Sequence, residues 1–439
     1  MAIILFRVYA ARNAQFLALG SFEVFRVIES TRDRSPVPAS TEPARARRLL
    51  TPSTAFAGSG AVFAALYVAA GAPTPLLVVF QQRWHFPAWV LTVAFASYAL
   101  GLLAALLVTG SLSDHVGRRP VLIGSLAVEL GAMLMFVFAS DVGWVIAART
   151  IQGIATGAAT SAFSASVVEH APKHRKKLGT IITSIAPAGG LGLGALLTGA
   201  AVQFSTHASV IVFTTLAVIM AVGTGVAAFS AETVSPRPGA LRSLIPHVSV
   251  PRAARREFVA SIPVHMAAWM LAGLFMGLVP TIIRDLLDLH SGLLNGATAF
   301  VQPAAAAVAG LCLGRLTPRR TIAVGSTGVL LGTAVNMAGV ATATLPLLWL
   351  GGLLGGVGFG ASFSGALRTI TPLAHPHQRA GLFAAVYLVA YLSFGVPAIV
   401  AGLLIAPLGL LDTVLGYGVV IIAAAALGLL AQYRMQTRR

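Results

Sequence analysis

The stretch Ala88–Pro120, AWVLTVAFASYALGLLAALLVTGSLSDHVGRRP, decides the fold. It opens with an uncharged apolar run, breaks at a short polar turn, and resumes after two arginines and a proline. A helix that crosses a bilayer needs about 20 mostly apolar residues, and the opening run supplies them. The same alternation of apolar segment and short loop, most of the loops basic, continues from Ala55 to Gln432. Hydrophobic residues make up 57% of the 439 and charged residues 10%, whereas soluble domains carry about 25% charged residues. Mean hydropathy is +0.85. The expected fold class is an all-α integral membrane protein.

Twelve spans are predicted, near 55–80, 88–112, 120–140, 143–168, 178–203 and 208–230, then 257–282, 293–314, 321–342, 346–371, 381–406 and 412–432. Only Glu129 and Arg149 place a charge well inside them. The formal charge of +17 would suit a nucleic-acid binder if it lay on one soluble face. Its distribution indicates orientation instead, because Lys and Arg concentrate in cytoplasmic loops. With the N-terminus inside, that face collects Arg118, Arg119, the cluster Lys173, Arg175, Lys176, Lys177, the arginines of the central loop, and Arg315, Arg319, Arg320, Arg368, Arg379 and Arg434. The outer face keeps Arg83 and Arg284. Both termini are expected in the cytoplasm of a plasma or inner membrane protein, with anionic lipid as a further attraction for the basic face.

The expected organisation is a cytoplasmic extension over 1–54, a six-helix bundle over 55–230, a basic linker over 231–256, a second bundle over 257–432 and a tail over 433–439. Residues 26–48 have the polar, Arg-rich composition of a disordered tail. Their alternatives are an organelle transit peptide or an upstream extension missing from the mature chain. Cys312, the single cysteine, forms no intrachain disulfide and has no metal-ligand spacing.

The two bundles echo each other at an offset of 203 residues. Gly153 and Gly157 match Gly356 and Gly360, while Gly192, Ala195 and Gly199 match Gly395, Ala398 and Gly402. Close helix packing explains small residues but not a shared offset, so a parallel repeat is expected.

The loop Gly110-Ser-Leu-Ser-Asp114-His115-Val-Gly117-Arg118-Arg119 closes one span and opens the next at Pro120, a favoured early helical position. Gly117 permits a left-handed turn, and Asp114 is placed to meet a helix N-terminus or a cation. This stretch resembles the loop signature of the major facilitator superfamily (MFS), Gly-x-x-x-Asp-Arg-x-Gly-Arg-Arg. The resemblance implies the MFS fold of about 12 transmembrane helices in two six-helix halves. It also implies that Asp114, Gly117, Arg118 and Arg119 tie the halves together as a conformational switch. His115 stands where an Arg is usual, which weakens that contact or makes it sensitive to pH. A topogenic turn with a capped helix is the simpler alternative.

In the fourth span, Arg149-Thr-Ile-Gln152-Gly153 resembles the Arg-x-x-Gln-Gly signature of the drug:proton antiporter branches of that family. There the Arg faces the central cavity and influences nearby proton sites. Arg149, Gln152 and Thr156 share one helix face; snorkelling of Arg149 to the outer interface is the alternative. In the fifth span, Gly190-Leu-Gly-Leu-Gly194-Ala195-Leu-Leu-Thr198-Gly199 is similar to the antiporter signature Gly-x-x-x-Gly-Pro-x-x-Gly-Gly. Ala195 and Thr198 depart from it, and packing explains Gly190, Gly194 and Gly199 equally well.

Three residues are candidates for proton coupling: Arg149, Glu129 and His265. For Glu129 a structural pair or a lipid-facing neutral acid is an equal reading, and for His265 a hydrogen-bonded packing role. By the same resemblance the substrate cavity is lined from spans one, four, seven and ten by Tyr67, Gln152, Thr156, His265, Trp269, Phe359 and Phe363. Such a lining suits an amphipathic small molecule.

The reading is a secondary active transporter, expected to export small amphipathic molecules in exchange for protons, as a monomer without cofactor or metal and without nucleic acid. An uptake symporter or facilitator shares the fold. A non-transporting membrane sensor would share the cavity. A membrane-embedded enzyme would need convergent catalytic groups, and no HExxH, GxxxxGK[ST] or Ser/His/Asp grouping occurs in the sequence.

Overall fold

The computed structural model describes residues 50–172 and 176–437. The expected extension over 1–54 lies outside them except for its last five residues, and so do Lys173, Arg175, Arg438 and Arg439. The described chain is helical throughout its apolar segments. Spans 1 to 6 are Pro52–Trp84, Ala88–Thr109, Arg118–Val137, Val142–His170, Lys176–Phe204 and Ala208–Phe229. Spans 7 to 12 are Arg252–Asp285, Gly292–Arg315, Pro318–Ala341, Leu345–Leu373, Pro376–Leu408 and Leu410–Thr437. Each predicted span overlaps one of them.

Eleven of these helices are long and apolar enough to cross a membrane. Span 4 falls short on composition alone: its 29 residues carry Arg149, Gln152 and several Thr and Ser. Those groups are tolerated at membrane depth because protein, not lipid, surrounds them.

Packing follows the repeat. Span 1 packs on spans 5 and 6, span 2 on 4, and span 3 on 4 and 6; each pairing recurs six spans later, as 7 on 11 and 12, 8 on 10, and 9 on 10 and 12. Spans 5 and 8, and spans 2 and 11, join the two sets. Helices approach closely where a side chain would not fit. A Cβ on Gly199 would lie 2.6 Å from Gly296 Cα, and one on Gly190 2.7 Å from Tyr67 Cβ. Without a hydrophobic drive between helices in lipid, such close backbone contact carries the association.

Spans 1 and 7 are both interrupted. Span 1 breaks between its α-helices Pro52–Gly71 and Pro73–Trp84, because Pro73 has no N–H for the Ala69 carbonyl one turn back. Span 7 carries one π-helical turn, Leu274–Leu278, between Arg252–Gly273 and Val279–Asp285. The 203-residue offset places Ala72 on Phe275, so the two interruptions occupy equivalent positions. The sequence reading missed both.

At the end of the bundle away from the basic loops the two sets of spans are bound together. Arg284 Nη2 donates to Gln81 Oε1 at 3.1 Å, and Ser291 Oγ donates to Gln203 Oε1 at 2.8 Å. A Cβ on Gly292 would lie 2.8 Å from Gly199 O, so spans 5 and 8 meet backbone to backbone there.

Candidate functional site

The site begins with the carbonyls that Pro73 disturbs. Gln152 Nε2 donates to Ala69 O at 2.9 Å, replacing the missing backbone partner, and Arg149 Nη1 donates to Ala70 O at 3.0 Å. Arg149 Nη1 also donates to Gln152 Oε1 at 2.7 Å, and Gln152 Nε2 reaches Glu129 Oε1 at 3.2 Å. The guanidinium lies over the Tyr98 ring, 4.4 Å from its centroid, an attractive cation–π placement. Glu129 is 0% and Arg149 2% exposed. Four spans thus converge on one acid and one base, bridged by an amide. Glu129 Oε2 and Arg149 Nε have no hydrogen-bond partner.

Arg149 therefore does not snorkel, and Glu129 does not face lipid. Below Gln152 a line of hydroxyls follows span 4 at four-residue spacing. Thr156 Oγ1 donates to Gln152 O, Thr160 Oγ1 to Thr156 O and Ser164 Oγ to Thr160 O. Tyr67 Oη lies 2.9 Å from Thr160 Oγ1, so span 1 presents its phenol to this polar wall.

The second set of spans presents an aromatic wall. Trp269 stands with its ring centroid 5.2 Å from Phe359, 6.0 Å from Phe363, 5.0 Å from Tyr391 and 5.9 Å from Phe394. Phe359 and Phe363 stack at 6.4 Å, and Tyr387 lies 6.3 Å from Phe363. The rings of Trp269, Phe359, Phe363, Tyr387 and Tyr391 are only half-buried, and the Trp269 indole N–H has no partner. Tyr391 packs against Ala70, Tyr98 and Leu102, which brings the aromatic wall to the Arg149 cluster. His265 is buried beside Phe363 at 5.8 Å, its Nδ1 3.3 Å from Ser261 O and its Nε2 without a partner. It belongs to the wall rather than to the Glu129 cluster. Tyr98, Thr160, Tyr387 and Tyr391 escaped the sequence reading; the i, i+4 tyrosines of span 11 were the available signal.

The Gly110–Arg119 loop is a separate site on the basic face. Asp114 Oδ1 pairs with Arg118 Nη1 at 2.5 Å, and Arg118 Nη2 reaches Glu169 Oε1 at 3.3 Å. Gly117, at φ +101°, has no side chain to cap span 3. The carboxylate of Glu232 caps it instead, accepting from Arg118 N at 2.9 Å and Arg119 N at 3.0 Å, as a negative group at a helix N-terminus should. His115 O accepts from Arg237 N at 2.7 Å, and Ser111 Oγ donates to Ser243 O at 3.2 Å. Among the described residues this loop therefore binds the end of span 4 and the linker. The resemblance implied a tie between halves; of the partners, Glu169 belongs to span 4 and Glu232 to the start of the linker, three residues past span 6.

Gly190 and Gly194 lie against Tyr67 and Val68 of span 1, and Gly199 against Gly292 and Gly296 of span 8. Their close contacts are packing contacts.

A family model described as Major Facilitator Superfamily matches residues 59–334 of this chain. The Multidrug resistance protein MdtL of Salmonella typhi is 25% identical over 287 residues, covering 63% of this chain and 71% of that protein. Among solved structures, a bacterial homolog of the human lysosomal transporter Spinster, in an inward-facing and unoccupied conformation, superposes with a TM-score of 0.70. It shares 13% identity and covers 88% of this chain and 98% of its own. The human organic anion transporter MFSD10 (TETRAN) gives a TM-score of 0.59 at 17% identity, covering 88% of this chain and all of that one. At such identities these two likenesses concern the fold alone.

Proposed function

This chain belongs to the major facilitator superfamily, and from that premise we propose that it exports small amphipathic molecules in exchange for protons. The observation that carries the substrate class is the contrast between the two walls. Tyr67, Thr156 and Thr160 offer hydroxyls, while Trp269, Phe359, Phe363, Tyr387 and Tyr391 offer half-buried rings with one unpartnered indole N–H. A planar molecule with one apolar face and a polar edge matches both, since rings prefer offset or edge contact with other rings. The distant relative named for multidrug resistance supports export of such compounds.

The basic face is the cytoplasmic one in this reading, because Lys and Arg are retained there during insertion. The bonds Arg284–Gln81 and Ser291–Gln203 then close the outer end, leaving the cavity to load from the cytoplasm. Two six-helix bundles, 55–230 and 257–432, rock about the contacts of span 5 with 8 and span 2 with 11. The Gly110–Arg119 loop biases that motion by bracing spans 2, 3 and 4 against the linker.

The test uses ethidium, a planar aromatic dye, in everted membrane vesicles containing the protein. An imposed proton gradient, acid inside, is expected to drive dye uptake that a protonophore abolishes. Uptake that ignores the gradient, or none above vesicles lacking the protein, overturns the reading.

A further inference from the structure

We infer that the coupling proton binds Glu129, in a span that does not line the cavity, and acts on the break in span 1 through Gln152 and Arg149. The inference rests on the exporter reading and adds the place where the ion acts.

The repeat supplies the argument. The offset of 203 residues carries Glu129, Arg149 and Gln152 onto Gly332, Gly352 and Gly355. Each polar member of the cluster has a glycine as its counterpart. Two of the corresponding contacts are nevertheless kept. Glu129 meets Gln152, and a Cβ on Gly332 would lie 2.6 Å from Gly355 Cα. Arg149 lies over the Tyr98 ring, and Gly352 faces Val301, the residue equivalent to Tyr98; Phe275, equivalent to Ala72, takes the place next to Gly352 that the guanidinium takes at Ala70. In the second half span 7 fills the space itself, with Phe275 against Gly352 and Leu271 against Gly355. The carbonyl of Met270 beside the π turn is satisfied by Tyr417 Oη at 3.1 Å. The same three-helix crossing thus forms with small residues and apolar contacts. The fold does not require a buried acid, base and amide at this place, and replacing a buried ion pair with packed apolar groups is commonly neutral or stabilising. Their presence in one half only needs a different reason.

The chemistry gives one. With Glu129 ionised, the cluster is neutral and Arg149 holds span 1 at Ala70. Proton uptake converts the carboxylate to a carboxylic acid, and the cluster gains one positive charge. Arg149 is then an uncompensated cation away from water, a costly state at low dielectric. Relief comes from moving the guanidinium toward the half-buried rings of Tyr391 and Trp269, which releases Ala70 O, and with Gln152 also Ala69 O. Span 1 loses its brace where Pro73 has already removed a backbone bond. Proton release to the opposite side restores the pair. The groups facing Glu129 are Arg149, Gln152 and Thr156 on span 4 and Tyr98 on span 2, with Tyr67 on span 1 beyond them; span 6, packed on span 3, carries no ionisable residue.

The test reads conformation without any substrate. Spin labels are placed at Leu178→Cys and Leu311→Cys, exposed near the basic ends of spans 5 and 8, in a chain with Cys312→Ser. In lipid nanodiscs the distance distribution is expected to shift as pH is taken from about 5 to about 9. Glu129→Gln should hold one distribution throughout, and Glu129→Asp should keep the shift. Gln152→Leu, which leaves the acid but cuts the bridge, should also abolish it. A full shift in either Glu129→Gln or Gln152→Leu overturns the inference, as does a wild-type distance that ignores pH. A pH response without gradient-driven dye uptake would instead overturn the exporter reading and leave this one standing.

Discussion

At the residue scale, Arg149 shows how a costly group is kept. A buried guanidinium survives in a span only where donors and charge are matched, and here Ala70 O, Gln152 Oε1, the Tyr98 face and the Glu129 carboxylate share the task. Trp269 is the corresponding centre of the aromatic wall, touching four rings. Trp269→Ala is expected to raise the half-saturating ethidium concentration about tenfold in the vesicle assay, since ring contacts contribute about 0.5–1.5 kcal/mol each. Trp269→Phe should keep most of the affinity. Equal half-saturation for the alanine variant and the wild type would place the dye elsewhere. Arg149 and Trp269 were both legible in the sequence, because a charge or an indole inside an apolar run stands out. Tyr98 was not, since nothing in its own span distinguishes a tyrosine facing Arg149 from one facing lipid, and Tyr391 showed only in its i, i+4 spacing from Tyr387.

At the scale of the element, proline and glycine decide where helices bend, begin and touch. Pro73 is visible in the sequence, yet the break matters only because Gln152 arrives to take the freed carbonyl. The N-terminus of span 3 makes the same point. Gly117 gives the turn but no cap, and the cap comes from Glu232, more than a hundred residues later, in the linker just past span 6. Glu232→Ala is expected to cost ~1 kcal/mol, lowering the unfolding temperature of the detergent-solubilised protein. It should also reduce gradient-driven uptake by freeing the start of span 3 from the linker. Undiminished stability and uptake would make the cap incidental. The span positions were readable from apolar length and loop charge. Span 4, the least apolar, was still recognisable from its length and flanking loops.

At the scale of the whole molecule, the predicted twelve-span arrangement and the internal repeat are seen in packing, the main pairings in the first six spans recurring in the second six. The closure at the end away from the basic loops offers a direct test of motion about this arrangement. Gln203→Cys with Ser291→Cys, at positions whose side chains are hydrogen-bonded at 2.8 Å, should form a disulfide under oxidation that stops dye uptake, with activity returning on reduction. Uptake that continues in fully cross-linked protein would show that this end need not open. The sequence by itself determined the membrane class, the number of crossings, the repeat and the family signatures, because apolar length, loop charge and spacing are properties of a line. Only the tertiary structure decided that Glu129, Gln152 and Arg149 form one cluster against the break in span 1, and that their counterparts are three glycines, two of them covered by Phe275 and Leu271. Hydrogen bonds and close packing join residues from different spans, and no local pattern records which faces will meet.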